Sequence, residues 1–269
     1  MSARLALVTG GTGFVASHLI PALLGAGWKA RATGRRPRPP WLPGEADYRV
    51  ADLATGEGIG EALAGVTHLF HLAGASSSLA SEAEMHSSNV VGTENLLAAG
   101  HASGLERALY MSSTSVYGEE VELRQPVPEN VEPHPSRGYG KAKWLAEQAV
   151  WRYAEKGLEV VVVRPVSIYG PGAVKLLASA VLDIAIERIA GLKKVEVWEK
   201  PIEQRLVHVA DLVRACLHLM GREDAVGRAF NLASENYPTS HELAGMIAGE
   251  LGLELEESDD PECGPTFER

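Results

Sequence analysis

LALVTGGTGFVASHLI, residues 5–20, is an apolar run, a glycine-rich turn and an amphipathic segment in succession. Leu5–Thr9 reads as a strand and Ser17–Leu24 as a helix with its apolar residues on one face. Between them, Gly10 permits a tight turn and Gly13 leaves the backbone bare where a diphosphate would approach. Ala16 is small enough for the helix to pack on the sheet. The helix start then offers free N–H groups and the positive end of its dipole. Gly10, Thr12, Gly13, Phe14 and Val15 are therefore candidate contacts for the pyrophosphate of a dinucleotide. Glycine turns also occur without ligands; the position between first strand and first helix is what points to one.

Outward from this stretch the alternation continues. Lys29–Thr33, Tyr48–Ala51, His68–Leu72, Leu105–Ser112 and Glu159–Arg164 (EVVVVR) read as strands, and Asn89–His101 and Lys141–Lys156 as helices. The unbroken β-branched run suits a strand covered on both faces. Strands alternating with helices predict parallel crossovers: an α/β fold with a doubly wound Rossmann sheet. Residues 1–170, with 205–233 returning, are assigned to this dinucleotide-binding domain, and 171–204 and 234–269 to a small C-terminal substrate lobe. Helices are predicted over Ala173–Ala190, Asp211–Met220 and Ser240–Leu251, and strands over Val195–Trp198, Arg205–Val209 and Ala229–Leu232. Pro37–Pro43 and Gln125–Pro135 read as loops, Glu119, Glu120 and Glu122 as a solvated charge run, and the acidic tail after Leu255 as frayed or loosely packed.

The 269 residues are 45% hydrophobic and 22% charged, with a net charge of −10, which speaks against a nucleic-acid surface. Cys216 and Cys263 form neither a disulfide framework nor a metal-ligand spacing, so a reducing cytoplasm is the expected compartment. His68 and His71 bracket a strand without a carboxylate or cysteine cluster, and no metal site is expected. No window approaches the roughly 18 apolar residues of a membrane span, and the apolar start is too short for a signal segment.

The end of the second strand bears on the ribose. NAD sites commonly place an acid there, whereas Ala32-Thr-Gly-Arg-Arg36 has none. Arg35 and Arg36 suit a 2′-phosphate, which favours NADP over NAD; the alternative is a pair of solvated loop charges. Asp52, with Leu53 beside it, follows the third strand and is placed either to accept from an adenine amino group or to cap the next turn.

Tyr139-Gly-Lys-Ala-Lys143 opens a helix, and a spacing of four puts phenol and ammonium on one face. A free tyrosine has a pKa of about 10; a nearby ammonium favours the phenolate, enabling proton exchange with a carbinol or ketone near neutral pH. Met111-Ser-Ser-Thr-Ser-Val-Tyr-Gly118 follows a strand and so lies at the carboxyl end of the sheet, where open α/β folds bind ligands. A hydroxyl there can hold the substrate oxygen in line with Tyr139. Each pattern has a bland reading, a surface helix pair or a serine-rich turn. Their occurrence in order, after the phosphate loop, favours catalysis.

Together these residues resemble the extended short-chain dehydrogenase/reductases, the NAD-dependent epimerase/dehydratase family, over almost the whole chain. The segments are TGGTGFVASHL (9–19), HLAG (71–74), NVVGTENLL (89–97), SSTSVYG (112–118), YGKAK (139–143), RPVSIYGPG (164–172) and VHVADL (207–212). The resemblance implies proton transfer by Tyr139 and Lys143 and a substrate-anchoring hydroxyl at Ser113, with Thr114 or Ser112 as substitutes if the turn is shifted. It also implies Leu72, Ala73 and Gly74 beside the adenosine ribose, Pro165 and Val166 near the nicotinamide, and a homodimer built from the helices Asn89–His101 and Lys141–Lys156. The substrate it implies is a small molecule, a nucleotide sugar in an epimerase or dehydratase. Three departures stand out: the missing acid after the second strand, a chain short enough that the substrate lobe is reduced or truncated, and Gln204-Arg205 one place off the common arginine spacing. GWKARATGRRPR (27–38) resembles instead the NADPH-dependent ketone reductases akin to dihydroflavonol reductase. A module that binds NADP without chemistry is the remaining alternative; such modules often lack the tyrosine or the lysine.

Overall fold

A computed structural model describes residues 4–75, 80–118, 126–174, 177–260, 263 and 265. The charge run at Glu119, Glu120 and Glu122 and the loop residue Gln125 lie outside these. In chain order the elements are β1 (Leu5–Thr9), α1 (Phe14–Gly25), β2 (Lys29–Gly34), β3 (Asp47–Val50), α2 (Ile59–Leu63) and β4 (His68–His71). Next come α3 (Glu82–Met85), a π-helical stretch His86–Val91, α4 (Gly92–Ala102), β5 (Arg107–Met111), a 3-10 turn Thr114–Tyr117, α5 (Gly138–Ala154) and β6 (Glu159–Pro165). β7 (Ser167–Tyr169), α6 (Leu177–Ile189), β8 (Lys194–Trp198), β9 (Leu206–His208), α7 (Val209–Met220), β10 (Arg228–Leu232), α8 (Ser240–Glu250) and β11 (Glu254–Ser258) complete the chain.

Two compact units result: 1–166 with 210–232, and 167–209 with 233–269. The first holds a seven-stranded sheet in the order β10-β6-β5-β4-β1-β2-β3, every pair parallel. β1 and β4 are neighbours although β2 and β3 separate them in sequence, so the strand order reverses there. Ligands of open α/β sheets bind outside such a point. The apolar runs of β1 and β6 are buried almost end to end, as strands covered on both faces require. On one face Leu7, Leu69, Tyr110, Val160 and Val162 pack with Leu63, Leu96, Leu97, Ala146 and Val150 of the helices.

The second unit contains two parallel strand pairs, β7 with β9 and β8 with β11. Ile184, Val195, Val197, Ala244, Ala248 and Leu253 form its core. β7 and β9 thus lie in this unit, whereas the sequence reading gave residues through 170, and from 205, to the first.

Several boundaries depart from expectation for physical reasons. α1 starts at Phe14, not Ser17, and α5 at Gly138, not Lys141, which brings Tyr139 into the first turn. α6 begins at Leu177, and Ala173 and Val174 precede it outside any helix. α3 was not foreseen: its start is a capping box in which Ser81 and Glu84 satisfy one another's backbone N–H groups, without an apolar stripe. The tail does not fray through 254–258. Those residues pair with β8, Lys194 meets Glu256 at 3.1 Å, and Leu253 is buried just before.

Candidate active site

The carboxyl ends of four adjacent strands, β6, β5, β4 and β1, carry most of the candidate residues. At β1 the chain leaves Thr9 into Gly10, whose φ of +66° lies in the left-handed region open to glycine. A Cβ at Gly10 would stand 3.0 Å from the Ala73 backbone, so the loops after β1 and β4 touch. Gly13 precedes α1 in extended conformation; it is exposed, no side chain caps the helix, and no acid occupies its first turn. Thr12, Phe14 and Val15 are half-buried around it. Among the described residues no side chain caps this end and no acid lies in its first turn, which fits the negative charge of a pyrophosphate.

Buried polar groups hold the two loops. Thr9 Oγ1 accepts from Ala73 N–H at 3.1 Å and lies 2.7 Å from His71 Nδ1, while His71 Nε2 lies 2.8 Å from Thr93 Oγ1. Burial first, then the Lys143 charge, lowers the His71 pKa to about 3, keeping the ring neutral. Asn89 clamps the next residue: its Oδ1 accepts from Ala75 N–H at 2.6 Å and its Nδ2 donates to Ala75 O at 3.1 Å. Leu72 and Ala73 are half-buried and Gly74 exposed.

Lys143 is buried at 3% exposure. Its Nζ sits 4.5 Å from the centroid of the Tyr110 ring and 3.6 Å from where a Gly74 Cβ would stand. Burial lowers its pKa to about 7, with the Glu147 carboxylate pulling the other way. Tyr139, one turn earlier, is half-buried and near enough that its charge raises the pKa of buried Tyr110, after desolvation. Such a site can present an amine of variable charge beside a phenol, at the sheet edge.

The three hydroxyls of the turn are not equivalent. Ser112 is buried and donates to Glu147 Oε2 at 2.6 Å. Thr114 Oγ1 donates to Pro165 O at 3.4 Å. Ser113 is half-buried; its oxygen accepts from Ser115 N–H at 3.2 Å and donates to Ser115 Oγ at 3.1 Å. Gly140 seats α5 on this turn, since a Cβ there would fall 2.4 Å from Ser115 O. At β6, Pro165 is buried, and half-buried Val166 donates its N–H to Leu232 O at 3.0 Å.

The remaining candidates stand apart in the contacts they make. Arg35 and Arg36 follow the end of β2, both exposed, and their guanidinium groups have no partner among the described residues. Asp52 Oδ1 accepts from Ala54 N–H at 2.9 Å, the turn cap weighed against an adenine contact, and Leu53 packs at Gly92. Sequence reading passed over Glu147, Tyr110, Asn89 and Gly140. Glu147 had a signal: it extends the Tyr139, Lys143 spacing by another four residues, onto the same helix face. No cluster of three or more His, Cys, Asp or Glu residues suited to a metal occurs among the described residues, and no helix there is long and apolar enough to cross a membrane.

The model of the NAD dependent epimerase/dehydratase family matches residues 6–233. The GDP-6-deoxy-D-mannose reductase of Pseudomonas aeruginosa is 30% identical over 270 residues, covering 97% of this chain and 84% of the reductase. The 3-beta-hydroxysteroid dehydrogenase of Mycolicibacterium neoaurum is 30% identical over 268 residues, 93% of this chain and 70% of that protein. Among solved structures, MoeE5 in complex with UDP-glucose and NAD aligns with a TM-score of 0.77 at 29% identity, covering 94% of this chain and 84% of that one.

Proposed function

The chain belongs to the NAD dependent epimerase/dehydratase family, and from that membership we propose an NAD(P)-dependent oxidoreductase in which Tyr139 exchanges a proton with a secondary carbinol or ketone. The observation that carries this reading is Lys143, buried one helical turn from Tyr139 at the carboxyl end of the sheet. Lys143 favours the phenolate by its charge, and Ser113 is the hydroxyl that anchors the substrate oxygen, Ser112 being committed to Glu147 and Thr114 bonded to Pro165 O. The nicotinamide, when bound, supplies hydride transfer. Gly10, Thr12, Gly13, Phe14 and Val15 would hold its pyrophosphate, Asp52, Leu53, Leu72, Ala73 and Gly74 its adenosine half, and Pro165 and Val166 its nicotinamide end, with Tyr139 and Lys143 alongside.

The exposed guanidiniums of Arg35 and Arg36, with no acid beside them, support NADP over NAD. The substrate read first is a sugar, carried on a nucleotide, with the second unit as its lobe. The NADP preference favours a second reading, a ketone reductase that consumes NADPH. Assembly as a homodimer through α4 and α5, checked by sedimentation velocity, and residence in a reducing cytoplasm, checked by localising a tagged chain, complete the proposal.

The test measures binding of NADPH and NADH by fluorescence, then turnover across nucleotide sugars and ketones, for the natural chain and Tyr139→Phe. The variant is expected to bind cofactor unchanged and to lose turnover by about 10²–10⁴-fold. Retained turnover removes Tyr139 from the mechanism, and bound NADPH that no carbonyl compound consumes points to a binding module without chemistry.

A further inference from the structure

One buried carboxylate on α5 bonds to the turn after β5 and to β6. Glu147 has 0% exposure and lies on α5 one turn beyond Lys143. Its Oε2 accepts from Ser112 Oγ at 2.6 Å and from Arg164 Nε at 3.2 Å. Its Oε1 accepts from Arg164 Nη2 at 2.5 Å and from Trp151 Nε1 at 3.2 Å. Ser112 adjoins Ser113, Arg164 adjoins Pro165, and Tyr139 and Lys143 share the helix. Arg164 extends the connection by donating to Tyr117 Oη at 2.7 Å, and Tyr117 donates to Asn231 Oδ1 at 2.8 Å. A dry carboxylate is costly unless its lone pairs are filled, and four donors fill these.

We propose that Glu147 is a positioning residue for the Tyr139–Lys143 pair, holding turn, helix and β6 in one register and placing a negative charge that favours the ammonium form of Lys143. The inference rests on the proton-exchange reading of that pair. Among the described residues the other groups near Lys143 bring no negative charge: His71 of β4 is neutral, Tyr110 of β5 offers its ring face, and Asn89 and Gly74 contribute uncharged groups. Tyr139 is the group that the ammonium serves. Arg164 of β6 stands behind Glu147 and is paired with it at 5% side-chain exposure. Burial alone drives the Lys143 pKa down to about 7, and Glu147 opposes that fall.

The test reads Lys143 directly, without a substrate. The full chain is labelled with ε-carbon-13 lysine, the Lys143 resonance is identified by its loss in Lys143→Met, and its pH midpoint is followed by NMR. Glu147→Gln is expected to lower that midpoint by about one unit, a tenfold change in the protonation equilibrium. Glu147→Gln with Arg164→Met removes both members of the buried pair so that neither is stranded, and a smaller shift in the same direction is expected. Ser112→Ala removes one hydrogen bond but no charge and should leave the midpoint in place. An unmoved midpoint in the double variant, with native circular dichroism, overturns the proposal, as does an equal shift in Ser112→Ala. Neither result bears on whether Tyr139→Phe abolishes turnover, so the two readings fail separately.

Discussion

Strands β5 and β6 carry an arginine–glutamate cluster at each end, and the two clusters live in opposite surroundings. At the amino end Arg107, 7% exposed in its side chain, meets Glu159 and Glu223, whose side chains are 45% and 84% exposed, and donates to Met220 O at 2.9 Å. At the carboxyl end Arg164 and Glu147 are 5% and 0% exposed, with every carboxylate contact internal. Acids that keep their water hold a pair together at little cost and with little gain. Ions stripped of water are held at a large desolvation cost, recovered only while all partners stay in place. The same residue types therefore make a staple at one end and a rigid, charge-sensitive frame at the other, the end where the candidate site lies.

The sharpest way to break this contrast is Arg164→Ala, which strands the Glu147 charge in the interior. A loss of about 3–5 kcal/mol is expected from urea denaturation, and a loss under 1 kcal/mol would put the two clusters on equal terms. Lys143→Met tests the cost of the frame from the other side. The lysine's pKa is about 7 in the folded chain against its ordinary 10.5. Folding therefore opposes protonation: the penalty is complete below pH 7 and falls away as pH rises through 7 toward 10. The variant should gain ~2 kcal/mol at pH 7, a Tm rise of about 4–8 °C, while losing turnover. That gain should shrink by pH 10. Thermal melts at the two pH values check this, and a pH-independent difference would contradict it. Smallest of all, Glu223→Ala should change stability by less than ~0.5 kcal/mol, because its carboxylate keeps its water. A loss above ~2 kcal/mol by the same urea titration would mean the lower cluster is also a frame.

How legible all this was in the sequence depends on which physical signal each part left. LALVTGG and EVVVV announce buried parallel strands, because continuous apolar runs have few other uses in a chain of this class. Tyr139 and Lys143 are legible because helical spacing alone puts them on one face. Glu147 continues that spacing but, as an acid, reads as solvent-facing until Ser112 and Arg164 are seen to fill its lone pairs. The segment SEAEMHSSN, 81–89, hid α3 and the π-helical stretch because caps and packing make them, with no apolar stripe to read. β11 was hidden by its acids: Glu254, Glu256 and Glu257 suggest a frayed end, and only pairing with β8 makes the segment a strand. Tyr110 reads as one more core aromatic; that its ring face receives an ammonium depends on a helix arriving from about thirty residues away.

Gly140 has a consequence of its own. A side chain there would run into the Ser115 carbonyl, so backbone meets backbone and the spacing between α5, with Tyr139, and the turn that carries Ser113 is gauged by the absence of a methyl group. Such a gauge does not titrate, does not depend on salt and cannot rotate to another rotamer. An alanine at this position would leave every candidate side chain in the molecule and still force α5 and the turn apart.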